Sequence, residues 1–99
     1  MPRFVLYHPS FEIDVNAARD WYEERSVLIG DDFLNCVYIA AERLIADPDS
    51  RSVVDFGIPY WPVERFPYVV FYDLSTSMIL MLGVMHTSQD ATKWLKRRR

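Results

Sequence analysis

Residues 65–86 read RFPYVVFYDLSTSMILMLGVMH, two apolar runs joined by the polar bend Ser75-Thr76-Ser77. Residues 67–74 and 78–86 are long enough for strands and too short for typical helices, and the bend between them predicts a β-hairpin. The second run is apolar at both parities. Met78, Leu80, Leu82 and Val84 fall on one face, with Ile79, Met81 and Met85 on the other, so this strand is expected at the centre of a sheet with both faces covered.

Upstream, IPYWPVERF (58–66) contains Pro59 and Pro62, each lacking the amide that a central ladder needs, so this strand is expected at an edge. RFVLYH (3–8) alternates Phe4 and Leu6 with Val5 and Tyr7 and is closed by Pro9. It reads as a strand covered on both sides that pairs with the free side of the last strand. Between these strands the period becomes helical. Ile13, Ala17, Trp21 and Leu28, with Ala18 and Tyr22 beside them, predict a helix from about 11 to 27, N-capped by Ser10 and favoured by Glu12 and Asp14 near its start. Gly30 interrupts the pattern. Asp31 and Asp32 then open a second helix with the stripe Phe33, Val37, Ala40, Ala41, Leu44 and Ile45, ended by Asp47-Pro48. A short connection makes the two helices antiparallel neighbours. A last short helix is expected over Asp90 to Lys96. The fold class is α+β: an N-terminal strand, an antiparallel helical hairpin, a three-stranded antiparallel meander completing a small mixed four-stranded sheet, and a C-terminal helix.

The 99 residues make one domain, 1–99, and 51 % hydrophobic with 15 % aromatic residues is too apolar for disorder. The longest apolar stretch, Met78 to Met85, falls short of the ~20 residues of a membrane span, and no leader pattern follows Met1, so a cytoplasmic protein is expected. Cys36 is the one cysteine and reads as a packed helix residue. With His8 and His86 it shows no metal-ligand spacing, and no cofactor is expected. Residues 1–55 carry 5 Lys/Arg against 11 Asp/Glu (−6), and residues 56–99 carry 6 against 3 (+3). Five of those six cations are Lys93, Lys96, Arg97, Arg98 and Arg99, a basic end on an acidic body. Repeats, Gly-rich phosphate loops and Ser-centred nucleophile elbows are all missing from the sequence.

Several stretches together resemble a known family: AARDWYEERS (17–26), IGDDFLNCV (29–37), AERLIADP (41–48), PVERFPYVVFY (62–72) and ILMLGVMHTSQDATKW (79–94). A helical hairpin, Arg65-Phe66-Pro67-Tyr68, Val84-Met85-His86 and the downstream Trp94, in that order, are similar to the ParE branch of the RelE/ParE toxin superfamily, often called plasmid-stabilisation proteins. The resemblance runs from Arg3 to Trp94. It implies a toxin of a type II toxin–antitoxin module, held inactive by a cognate antitoxin and directed at DNA gyrase. The RelE branch shares the fold and cleaves messenger RNA on the ribosome, and a non-toxic member acting only as a protein-binding module is the third alternative.

Ribonuclease chemistry would need an acid or base near a 2′-hydroxyl and cations on the scissile phosphate. Arg65, His86 and Lys93 are the candidates for it. The acidic body matches that task poorly, because phosphate neutralisation dominates affinity for nucleic acid. The chain is therefore expected to bind protein rather than to act as an enzyme, with no sequence-specific DNA binding of its own. Target-binding candidates are Arg65, His86, Lys93, Trp94, Lys96 and Arg97. Antitoxin-binding candidates are Phe4, Tyr60, Trp61, Phe66, Lys93 and Lys96, on the expectation that an exposed aromatic edge and the basic end meet the partner. His86 itself follows an apolar face and precedes a polar turn, which predicts a hydrogen-bonded histidine at a strand end.

Overall fold

A computed structural model describes residues 3–50, 52–53 and 57–97. The order of elements is β1 (Phe4–Tyr7), α1 (Pro9–Glu23), α2 (Val27–Ala46), β2 (Ser52–Val53), β3 (Pro59–Pro62), β4 (Tyr68–Leu74), β5 (Met78–His86) and α3 (Ala91–Lys96). The sheet runs β1-β5-β4-β3-β2, with β1 parallel to β5 and the other pairings antiparallel. The hairpin, the central β5 and the parallel closure by β1 are as the sequence predicts. The two-residue β2 is an addition. It pairs with Pro59 and Tyr60, so β3 is flanked on both sides over its first residues instead of forming the edge. Arg98 and Arg99 of the basic end lie outside the described residues.

The helices pack on one face of the sheet. Phe11, Val15 and Ala18 of α1 and Phe33, Val37, Ala40, Ala41 and Leu44 of α2 meet Val70, Tyr72, Ile79, Met81 and Val84. Spacing of 11, 15, 18 and 22 is the inward stripe of α1. Ile13, Trp21 and Leu28, expected inside, are at least half exposed, and Ile45 of α2 also lies at the surface. The error is one of phase. Two apolar series coexist on α1, docking on the sheet selects one of them, and the start of the helix also differs from the expectation. That start is His8, whose Nδ1 accepts from the Ser10 N–H, with Pro9 in the first turn, and not Ser10 as predicted. Gly30 is no break either. It lies inside α2, where a Cβ would stand 3.1 Å from Glu23 Cβ, so its missing side chain lets the hairpin helices approach closely. The actual connection is Glu24–Ser26, and Arg25 donates to the Trp21 carbonyl at 2.8 Å, satisfying one carbonyl freed at the end of α1.

The opposite face carries a second, smaller core of Ile58, Val69, Phe71, Leu82 and Met85 under Trp94 and Leu95 of α3. Parity along β5 does not hold throughout. Tyr72 faces Met81 but Phe71 faces Gly83, so Leu82 is an extra residue in a β-bulge. Beyond it, Val84 turns to the helices together with Met81, and Leu82 turns to α3. β1 is not covered on both sides. Phe4 is 77 % exposed and Leu6 and Tyr7 are about half exposed, so β1 is an edge strand.

Candidate functional site

β1 stops pairing at Met81, which leaves the rest of β5 with an open edge beside α1. Polar groups on the start of α1 close it. The His8 N–H donates to the Met81 carbonyl at 2.8 Å, Ser10 Oγ donates to the Leu82 carbonyl at 2.7 Å, and the Val84 N–H donates to Asp14 Oδ2 at 3.1 Å. Two residues further on, the His86 N–H donates to Gln89 Oε1 at 3.3 Å. These bonds tie the start of α1 to β5, and beside them a cleft of about 520 Å³ lies between α1 and α3. Trp21, Tyr22, Tyr68 and His86 form its aromatic side, Ala18 and Val84 its floor, and Ser88, Gln89 and Arg97 its polar rim.

His86 stands at the end of β5 with its ring edge-on to Tyr68 at 5.0 Å between centroids. Its Nδ1 lies 3.0 Å from the Ser88 backbone nitrogen and 2.7 Å from Ser88 Oγ. A backbone N–H can only donate, so Nδ1 holds the lone pair and the proton of the neutral ring sits on Nε2. In that tautomer His86 presents a donor to its surroundings and has no free basic nitrogen. It is partly buried and hydrogen-bonded at a strand end, as its sequence position predicts.

Arg65 lies in the turn between β3 and β4 with φ 68°, a left-handed conformation that costs a side-chain-bearing residue about 1–2 kcal/mol. The guanidinium reaches back to α2, with Nη2 3.6 Å from Cys36 Sγ and 3.7 Å from Asp32 Oδ2. The hydrogen bond to Cys36, and after it the nearby carboxylate of Asp32, raise its pKa further, so Arg65 is a fixed cation. Between Arg65 and His86 stand the rings of Phe66, Tyr22 and Tyr68. Desolvation raises the pKa of both Tyr22 and Tyr68, which keeps their hydroxyls neutral.

α3 is capped by Asp90, which accepts from the N–H groups of Thr92 and Lys93. Lys93, Lys96 and Arg97 are exposed on it. Trp94, a target-binding candidate, is only 5 % exposed; its ring packs on Phe71 at 5.4 Å and over Gly83. It is first a core residue, with one edge in the cleft. Arg65, His86 and Lys93 are thus held by three separate parts of the fold.

The antitoxin-binding candidates do not form one patch. Phe4 is on β1 and Tyr60 and Trp61 on β3, at opposite sides of the sheet with β5 and β4 between. Trp61 packs on the helix side and Tyr60 on the α3 side. Phe66 is wedged edge-on between Tyr22 and Phe33 at 5.0 and 5.2 Å. Sequence reasoning missed Trp21, Tyr68, Ser88 and Gln89 as cleft residues. Trp21 was placed on the inward stripe of α1, and the correct helical phase is the signal that would have exposed it. Among the described residues no three His, Cys, Asp or Glu side chains converge as metal ligands, and no helix is long and apolar enough to cross a membrane.

A comparison with curated proteins finds no match. Among solved structures, the chain is similar to one from a chromosomal ParDE toxin–antitoxin system of P. aeruginosa, with a TM-score of 0.66 over 86 % of this chain and 96 % of that one. Identity is 16 %, so the likeness speaks for the fold. The family model of the ParE toxin of the type II toxin–antitoxin system parDE matches residues 5–91. With a match of that extent, and with the strand, helical hairpin and meander in their predicted order, the chain belongs to the ParE toxin family.

Proposed function

We propose that this chain acts as a toxin by binding DNA gyrase and that a cognate antitoxin neutralises it by covering the binding surface. The observation that carries the reading is the dispersal of the three groups a ribonuclease would need. Arg65 is tied to Asp32 and Cys36 on α2, His86 has its Nδ1 occupied by Ser88, and Lys93 stands on α3. With its Nδ1 engaged by Ser88, His86 is poorly placed to take the 2′-hydroxyl proton. The chain's net charge of −3 is also poorly suited to RNA or a ribosomal surface. A partly exposed aromatic cleft beside a basic helix is instead the equipment of a protein-binding surface. The relative in a solved ParDE system supports an antitoxin as one partner.

The test is to express the chain without antitoxin and follow DNA supercoiling and translation in parallel. Early loss of gyrase supercoiling with translation intact supports the proposal. Cleavage of ribosome-bound message that His86→Ala or Arg65→Ala abolishes would overturn it in favour of the RelE-type alternative.

A further inference from the structure

Most cations of the described residues are engaged within the chain. Arg3 pairs with Asp49, Arg19 with Asp20 and Glu23, Arg43 with Glu64 and Arg65 with Asp32, while Arg25 lies 3.4 Å over the Trp21 ring. Lys93, Lys96 and Arg97 have no ion pair among the described residues, although the chain as a whole is acidic. Unpaired positive charge is therefore concentrated on α3. Arg97 reaches from there into the α1–α3 cleft, where Trp21, a large apolar side chain 50 % exposed, forms the facing wall. The volume of about 520 Å³ is that of a binding pocket rather than a packing gap. Asp14, the one carboxylate lining the cleft among the described residues, is held by the Val84 N–H at the edge of β5.

We infer that the cleft between α1 and α3 is the anchor site for an acidic segment of the antitoxin. The segment inserts an aromatic or large aliphatic side chain between Trp21 and Tyr68, and its carboxylates meet Arg97 and Lys93. The occupant is argued from charge: an apolar side chain fits the aromatic wall, and only an acidic neighbour answers the three unpaired cations. Among the described residues, the cleft of similar size beside Tyr7, His8 and Tyr38 is lined by no Lys or Arg and offers no such complement. The inference rests on the antitoxin reading proposed above and names the surface within it. It also replaces the sheet-edge aromatics Phe4 and Trp61 as the main anchor, since those stand on opposite sides of the sheet.

The experiment measures binding of the full chain to the antitoxin encoded beside its gene, at low and high salt. Trp21→Ala removes the wall, and Ala17→Trp, at an exposed lining position, fills the cleft without deleting a contact. Circular dichroism checks that each variant is folded. Both variants should raise Kd at least about tenfold at either salt concentration, the loss typical of a central anchor. Arg97→Glu should weaken binding more at low salt, where ionic contacts are least screened. Kd values for Trp21→Ala and Ala17→Trp both within about threefold of the parent would overturn the inference, as would a larger loss from Phe4→Ala or Trp61→Ala. Failure of the unsubstituted chain to bind the antitoxin at all would refute the antitoxin reading itself, and this inference with it.

Discussion

Gly83→Ala should destabilise the fold strongly, against the ordinary preference of a strand. Glycine inside a regular element usually costs about 0.5–1 kcal/mol relative to alanine, so a naive expectation is a small gain. The surroundings reverse the sign. A Cβ at Gly83 would lie 2.4 Å from Asp14 Oδ2, 2.7 Å from Trp94 Cη2 and 2.8 Å from Trp94 Cζ2, all below contact distance. Neither neighbour yields freely, because the carboxylate is engaged by the Val84 N–H and the indole is buried against Phe71 on the sheet. Overpacking alone costs about 1–3 kcal/mol, and displacing Asp14 forfeits a charge-assisted hydrogen bond of about 1.5–3 kcal/mol. Offset by the gain of about 0.5–1 kcal/mol from replacing a glycine, a combined loss of about 2–5 kcal/mol is expected, a large part of the ~5–15 kcal/mol that holds a domain together. Urea unfolding followed by far-ultraviolet circular dichroism reads this as a lower midpoint with an unchanged slope. Asp14→Ala together with Gly83→Ala should cost less than the sum of the two, because the first substitution removes one of the clashes. A loss under about 0.5 kcal/mol for Gly83→Ala would refute the convergence of α1, β5 and α3 on this glycine.

The corrected phase of α1 predicts that Ile13→Ala stays within about 0.5 kcal/mol of the parent while Val15→Ala costs about 1.5–3 kcal/mol, both by urea unfolding. Phe33, fully buried among Tyr22, Phe66 and Tyr68, should cost about 3–5 kcal/mol when cut to alanine. Burial raises the pKa of Tyr68, Tyr22 and Tyr7, so each favours the folded state while protonated. Their contribution is fully present below the unfolded value of 10.0 and is lost as pH rises through the higher folded value, so stability should fall above pH 10. Tyr68→Phe should make that alkaline fall shallower in a pH series of unfolding midpoints, and an unchanged series would refute the assignment.

Strand order was legible because β5 is apolar at both parities and the helices carry 3.6-residue stripes, both direct records of burial. The bulge at Leu82 was not, since it depends on how Phe71 and Tyr72 pair across the hairpin, although Gly83 inside an apolar run was a local sign of it. α1 was misphased because Ile13 and Trp21 compete with Phe11, Val15 and Ala18, and only docking on the sheet separates the two series. The same misphasing hid Trp21 from the candidate site. His86 and Arg65 were identified through the resemblance, yet their partners Ser88, Asp32 and Cys36 come from the turn after β5 and from α2. Spacing in sequence carries no record of the Arg65 contacts, which span some thirty residues.

The most direct test of the account is a supercoiling assay with purified gyrase and relaxed plasmid, run beside a translating extract to which the same chain is added. The account predicts loss of supercoiling, relieved by the antitoxin, with protein synthesis continuing at its initial rate. Intact supercoiling together with a fall in translation that His86→Ala or Arg65→Ala relieves would contradict it.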